Sequence, residues 1–181
     1  MRRGAAVARR YAKALMVLAA EPARREAAAA ELEAFARLLD DQQDLAALLL
    51  RPWVKGSEKQ RVVRAVAEGA GLSPLLRDFL SVVARAGRLE ILPEILEAYR
   101  QQVDRAAGRA RARVRAARPL DEAERERLRE YLAGRLGKDV VLEVAEDPGL
   151  LGGFVAEIDS LILDGSLKGQ LDALRGQLIR G

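Results

Sequence analysis

A change of period at Gly108 divides this chain. Before it, apolar residues recur every three or four positions, the spacing of one face of a helix; after it, "RARARVRA" alternates strictly, as a half-buried strand does. One chain with both periods, each confined to its own stretch, predicts two structural units. The predicted fold is mainly α: an N-terminal six-helix bundle over 1–107, then a small α/β domain over 108–181. Charge divides at the same point. Residues 1–107 carry 18 Lys+Arg against 14 Asp+Glu, whereas 108–181 carry 13 of each.

Half of the 181 residues are apolar but only 4% are aromatic, so small and aliphatic side chains must fill the core, which favours close-packed helices. Stripes mark the helices: Ala8, Tyr11, Ala12, Leu15 and Leu18; then Ala28, Leu32, Phe35 and Leu39; then Leu45, Leu48 and Leu49. "RPW" at Arg51–Trp53 interrupts the pattern, since the residue before a proline is pushed out of helical geometry. Trp53 itself is expected in the core. Ser57 with Gln60 three residues on predicts a capping box for a fourth helix, carrying Val62, Val63, Val66 and Ala67 and closed by Gly69 and Gly71. Ser73-Pro74 opens a fifth, with Leu76, Phe79, Leu80 and Val83, and Leu92, Ile95, Leu96, Tyr99 and Val103 mark a sixth. Met1 to Ala20 has the Arg- and Ala-rich, acid-free look of a transit peptide, but its helical apolar spacing favours a first structural helix.

In the second half, Leu120 precedes Asp121 as N-cap with Glu124 three residues on, and Leu128, Leu132 and Leu136 stripe the helix that follows. "DVVLEV", "GFVAEI" and "SLIL" read as strands, and Ser166–Arg180 as a last helix with Leu167, Leu171, Leu174 and Leu178 on one side.

The residue inventory narrows the chemistry. With no cysteine there is neither a disulfide nor a thiolate, and with no histidine the commonest general base and metal ligand are missing. No cofactor is expected. No apolar run approaches the roughly 20 residues of a membrane-spanning helix. Two glycine-rich turns invite comparison with phosphate loops. A nucleotide loop needs Gly, four residues, then Gly-Lys-Ser/Thr between a strand and a helix. Here Gly169 follows Lys168 instead of preceding it, and Gly152-Gly153 leads into a strand, not a helix N-terminus. Both are read as structural: Gly152-Gly153 as a turn or bulge, Asp164-Gly165-Ser166 as a turn that caps the last helix.

The run from Arg105 to Arg118 holds six positive charges and no acid, which raises nucleic-acid binding through residues 109–118 as the alternative function. It lacks base-stacking aromatics, and the default reading is a strand face that is either solvated or ion-paired, with the acid-rich stretch Asp121–Glu130 as an available partner. Two helices carry more apolar surface than an outer helix of a bundle needs. The first adds Val7, Ala14 and Val17 to its main stripe, and the fifth is apolar around most of its circumference through Leu75, Leu76, Phe79, Leu80, Val82, Val83 and Ala86. Either both are central and enclosed, or both present a second face to a partner's amphipathic helix.

"VARRYAKAL" (Val7–Leu15), "FLSVVARAGRLEILPEILEAY" (Phe79–Tyr99) and the spaced set Asp147, Pro148, Leu151, Gly152, Gly153, Asp164, Gly165, Ser166, Gly169 and Leu171 resemble, in order and over nearly the whole length, one family. It is that of the delta subunits of bacterial and chloroplast F-type ATP synthases, whose mitochondrial relative is the oligomycin-sensitivity-conferring protein. Composition departs from the family pattern in its 26 Arg against 5 Lys.

The resemblance implies a non-catalytic stator clamp. Its helical domain would grip N-terminal helices of the alpha subunits of the catalytic head, its C-terminal domain would meet the b subunits of the peripheral stalk, and neither nucleic acid nor direct membrane insertion is expected. The protein would be peripheral at the cytoplasmic face of a bacterial plasma membrane, held there by the complex. The alpha-binding face is expected at Val7, Tyr11, Ala14, Phe79, Val82, Val83 and Ala86.

Overall fold

A computed structural model of the protein describes residues 2–158, 161–169 and 171, with backbone alone for Arg2 and Arg3. The chain divides into two units, Met1–Val103 and Asp104–Gly181. The division falls within the last turn and a half of a helix, just ahead of the change of period.

In the first unit the helices are α1 (Arg2–Leu18), α2 (Pro22–Asp41), α3 (Gln43–Leu50), α4 (Gly56–Gly69), α5 (Pro74–Arg85) and α6 (Leu92–Ala106), with a 3-10 turn at Leu89–Ile91 ahead of α6. Their ends follow local chemistry. Arg25 donates from Nε to the carbonyl of Ala19 (3.0 Å) and from Nη2 to that of Ala20 (2.8 Å), satisfying acceptors that the end of α1 leaves over. Ser73 caps α5, its Oγ accepting from the Leu76 N–H, with Pro74 as first helical residue. Glu31 of α2 in turn accepts from both the N–H and the hydroxyl of Ser73, at 2.9 and 2.7 Å, so one carboxylate from a neighbouring helix fixes where α5 begins. Gly71 and Gly87, in the left-handed region, let the chain leave α4 and α5.

Two expectations fail here. Helix α4 starts at Gly56 after Lys55, with no side-chain cap, so Ser57 and Gln60 lie inside the helix and form no capping box. Tertiary packing sets that start: a Cβ on Gly56 would stand 2.4 Å from the carbonyl oxygen of Arg85, so glycine alone permits the approach of α4 to the end of α5. Trp53, expected in the core, is 75% exposed. The hydrogen bond from the Val54 N–H to the Arg51 carbonyl closes a turn whose tip holds Pro52 and Trp53.

The core of the first unit is aliphatic, as the scarcity of aromatics requires. Leu15, Leu32, Val63, Leu76, Leu80, Val83, Leu92 and Ile95 close around Phe35 and Tyr99. Tyr99 is fully buried, and burial pushes its phenol up to about 12; its hydroxyl donates to the Arg25 carbonyl at 3.3 Å. Helix α1, with Ala8, Ala12, Leu15 and Ala19 in this core, is an integral element of the unit.

The second unit holds β1 (Arg109–Ala116), α7 (Glu122–Leu136), β2 (Asp139–Glu146), β3 (Phe154–Ile158) and β4 (Leu161–Asp164). Sheet order is β2-β1-β3-β4, with β1 and β2 parallel and the other neighbours antiparallel. Parallel strands need a crossover, and α7 supplies it. Gly108, at φ 70°, turns the chain into β1. The alternation in β1 resolves as expected: Ala110, Ala112, Val114 and Ala116 are buried, and the arginines face the other way. Helix α7 lays Leu128 and Leu132 on the buried side of the sheet, against Val140, Ala156 and Ile158. Its capping box is present, Asp121 accepting from the Glu124 N–H and Glu124 from that of Asp121. The expected last helix is described at Leu167–Gly169 and Leu171; its remainder, including Leu174 and Leu178, lies outside the described residues.

Candidate partner face and glycine junction

Helical rows separate the candidate residues of α1 and α5. On α1, Ala8, Ala12, Leu15 and Ala19 form the fully buried row, and the row beside it runs Val7, Tyr11, Ala14, Leu18. On α5, Leu76, Leu80 and Val83 form the buried row, and its neighbour runs Leu75, Phe79, Val82, Ala86. The two outer rows meet at mid-length, where the rings of Tyr11 and Phe79 pack edge to face with centroids 6.3 Å apart. From that contact each row rises to the surface. Val7, Tyr11 and Leu75 are half-buried, Ala14 and Ala86 are exposed, and Leu18 and Val82 are each 58% exposed. Val17, one position over, is 71% exposed.

The enclosed-helix alternative is therefore wrong for both helices. Within the expected site, Val83 needs correction. It belongs to the Leu76–Leu80 row and is wholly buried, so it backs the face without presenting itself, and Phe79 does much the same with its ring against Tyr11. Leu18, assigned to the core stripe, is instead the last member of the outer row. Counting the row on from Ala14 by four residues finds it.

The glycine turns hold each other. Gly165 donates to the Phe154 carbonyl at 2.9 Å, Leu167 to that of Gly152 at 3.0 Å, and Ala117 to that of Gly153 at 3.2 Å. A Cβ on Gly153, which sits at φ 80°, would lie 2.3 Å from the Gly165 oxygen, and one on Gly169 would lie 2.8 Å from the Asp164 carboxylate. Asp164 accepts from the Ser166 N–H (2.9 Å), and the Ser166 hydroxyl accepts from the Gly169 N–H (3.0 Å) as the cap of the following turn. The hydrogen bonds from Ser166 keep the Asp164 carboxyl below its usual range. Asp147 closes the preceding turn, accepting from the Gly149 N–H across Pro148. These amides are bonded to protein atoms and the space beside the glycines is filled by the Gly165 carbonyl and by the Leu167 and Asp164 side chains, so the glycines serve close approach.

The arginine run is internally paired. Arg109 and Arg111 both donate to Asp104, a carboxylate only 3% exposed, at 3.1 and 2.6 Å. Arg111 also reaches Glu143 at 2.6 Å, Arg113 lies 3.8 Å from Glu143, and Arg115 bonds Asp147 at 3.0 Å. Burial opposes the charge on Arg111, but its hydrogen bonds to Asp104 and Glu143 prevail and raise its pKa. From the acidic helix, Glu124 bonds Arg118, while α7 itself covers the opposite side of the sheet from the strand arginines.

No constellation for proton transfer emerges in a mainly apolar cavity of about 370 Å³ between α2, α3 and α6. Burial disfavours the charge of its Glu33, but hydrogen bonds from Arg37 and Arg100 hold the carboxyl below the ordinary range, the wrong direction for a general acid. Among the described residues no cluster of carboxylates suits a metal ion, and no helix is long and apolar enough to cross a membrane.

Fold and faces together define a two-unit protein, a helical unit with an exposed apolar face followed by a small mixed-sheet unit. Comparison with known proteins makes the assignment specific. Residues 7–178 match the family described as the ATP synthase delta (OSCP) subunit. The ATP synthase subunit delta of Desulfatibacillum aliphaticivorans is 39% identical over 174 residues, 96% of this chain and 95% of that one. That of Solidesulfovibrio magneticus is 37% identical over 180 residues, 98% of each. A chain of the Toxoplasma gondii mitochondrial ATP synthase hexamer shares the fold, with a TM-score of 0.71 and 22% identity over 95% of this chain and 97% of that one. The chain belongs to the delta (OSCP) subunit family of F-type ATP synthases.

Proposed function

We propose that the protein is the stator clamp of its ATP synthase, a passive link that keeps the catalytic head from turning with the rotor so that proton flow is coupled to ATP synthesis. In this reading the helical unit, a six-helix bundle over 1–107, holds N-terminal helices of the alpha subunits, and the domain over 108–181 meets the ends of the b subunits. The protein then sits at the cytoplasmic face of a bacterial plasma membrane, held there by the complex. The observation that carries the reading is the pair of outer rows, Val7–Tyr11–Ala14–Leu18 and Leu75–Phe79–Val82–Ala86, locked together by the Tyr11–Phe79 contact and apolar out to the solvent. Scattered surface valines need no explanation, but two adjoining apolar rows on paired helices offer what an amphipathic helix buries, at about 25 cal/mol per Å² of apolar surface.

The test is binding of the full chain to a peptide of the alpha N-terminus and to a catalytic head stripped of this subunit. Wild type is expected to bind both, and Ala14→Asp to bind neither while melting as wild type does. Failure of the wild-type chain to bind either would overturn the proposal.

A further inference from the structure

The Arg51–Val54 turn has no part in the face just described, and its tip is hard to explain as a passive connection. Trp53, the only tryptophan, is 75% exposed there. Leu50, the last residue of α3, is 52% exposed and Leu48 39%. The Arg51 guanidinium lies over the indole, 5.6 Å from the ring centroid, a cation–π contact on one ring face. Tryptophan and arginine are the residues most enriched among the few that dominate binding energy at protein interfaces. An indole carried on a closed turn has less freedom to lose on binding than one on an open chain.

The charge around it indicates what it binds. Residues 51–64 carry five basic side chains and one acid, Glu58; Arg64 pairs with Asp78 and Lys59 is buried, which leaves Arg51, Lys55 and Arg61 as the exposed cations. Arg51 and Lys55 have no salt-bridge partner among the described residues, whereas Arg109, Arg111, Arg113, Arg115 and Arg118 are each paired within the chain. The arginine-rich strand thus spends its charge internally, and the turn keeps its charge for an outside group. We infer that the Arg51–Trp53–Lys55 turn is a second docking point, which takes an acidic segment of a head subunit that lays an apolar side chain on Leu50 and the indole and sets carboxylates against Arg51 and Lys55. The inference rests on the clamp reading for the identity of the assembly and extends it to a surface outside the α1–α5 face.

Because Trp53 is the lone indole, its fluorescence reports this site directly. The full chain is titrated with the stripped catalytic head, itself corrected for its own emission, and separately with phosphatidylcholine vesicles with and without phosphatidylglycerol. Expected are a blue shift and protection from iodide quenching on binding the head, and no shift with either vesicle. Trp53→Ala and the double variant Arg51→Glu with Lys55→Glu should each weaken head binding by about tenfold or more, the loss typical of an anchor residue, while melting as wild type does. Head binding with an unmoved indole, or with full affinity in both variants, overturns this inference and leaves the clamp standing. A shift on anionic vesicles alone replaces the protein partner with a lipid surface, and absence of any head binding overturns both readings.

Discussion

At the scale of single residues, strain and burial locate the positions that tolerate no change. Gly153 meets two prohibitions at once: its φ of 80° suits no Cβ, and the space is occupied by the Gly165 carbonyl 2.3 Å away. Gly153→Ala should therefore destabilise the chain by about 3 kcal/mol, read as a lower urea midpoint of the full protein, with Gly149→Ala as the milder control because its new methyl meets only a side-chain oxygen. Asp104 is a different case, a buried carboxylate between two guanidiniums. Asp104→Asn leaves Arg109 and Arg111 without their shared counter-ion and should cost about 3 kcal/mol in the same measurement. Retention of the charge in Asp104→Glu should restore less than half of that, since the longer side chain misses the geometry. If Asp104→Asn melts as wild type, the pairing contributes no net stability.

At the scale of elements, caps and ion pairs decide where helices start and how they hold together. The capping box of α7 was legible from Asp121 and Glu124 alone because every group in it lies within one turn. The start of α4 was not legible from Ser57 and Gln60, because it is set by the close approach of Gly56 to Arg85, 29 positions away in the chain. The same contrast explains the arginine strand: alternation in "RARARVRA" reveals which side is buried, but its counter-ions Glu143 and Asp147 come from β2 and the turn after it, and register is a tertiary property. Asp121→Ala should cost about 1 kcal/mol through loss of the cap. Glu33 ties α2 to α6 through Arg100, and its pH dependence has a definite sign. Its folded pKa lies below the ordinary carboxyl value, so its contribution is complete above the unfolded pKa and is lost as pH falls through the folded one. Thermal melts of wild type and Glu33→Gln should differ at about pH 7 and converge only as pH falls below the ordinary carboxyl range and through the folded pKa; a difference that persists below that point assigns the effect of Glu33 to packing and not to charge.

At the scale of the whole molecule, the question is whether exposed apolar surface serves assembly or is only tolerated. From sequence, surplus apolar residues on α1 and α5 had two readings, because 3.6-residue periodicity fixes which residues share a row but not which row faces solvent. The structure assigns Leu76, Leu80 and Val83 to the interior and Val82, Ala86, Ala14 and Leu18 to the surface. That division makes a decisive pair of variants available. Val83→Asp places a carboxylate in the core and should unfold the helical unit, whereas Val82→Asp, one residue earlier, places it in water and should leave the fold intact. If the face clamps the head, Val82→Asp combined with Ala14→Asp should melt as wild type does, yet fail to rejoin stripped heads to the membrane. The unattached heads would still hydrolyse ATP in solution, while the membranes hold no proton gradient from it. Recovery of ATP-driven proton pumping to the wild-type level with this double variant would mean that the two rows are surface and nothing more.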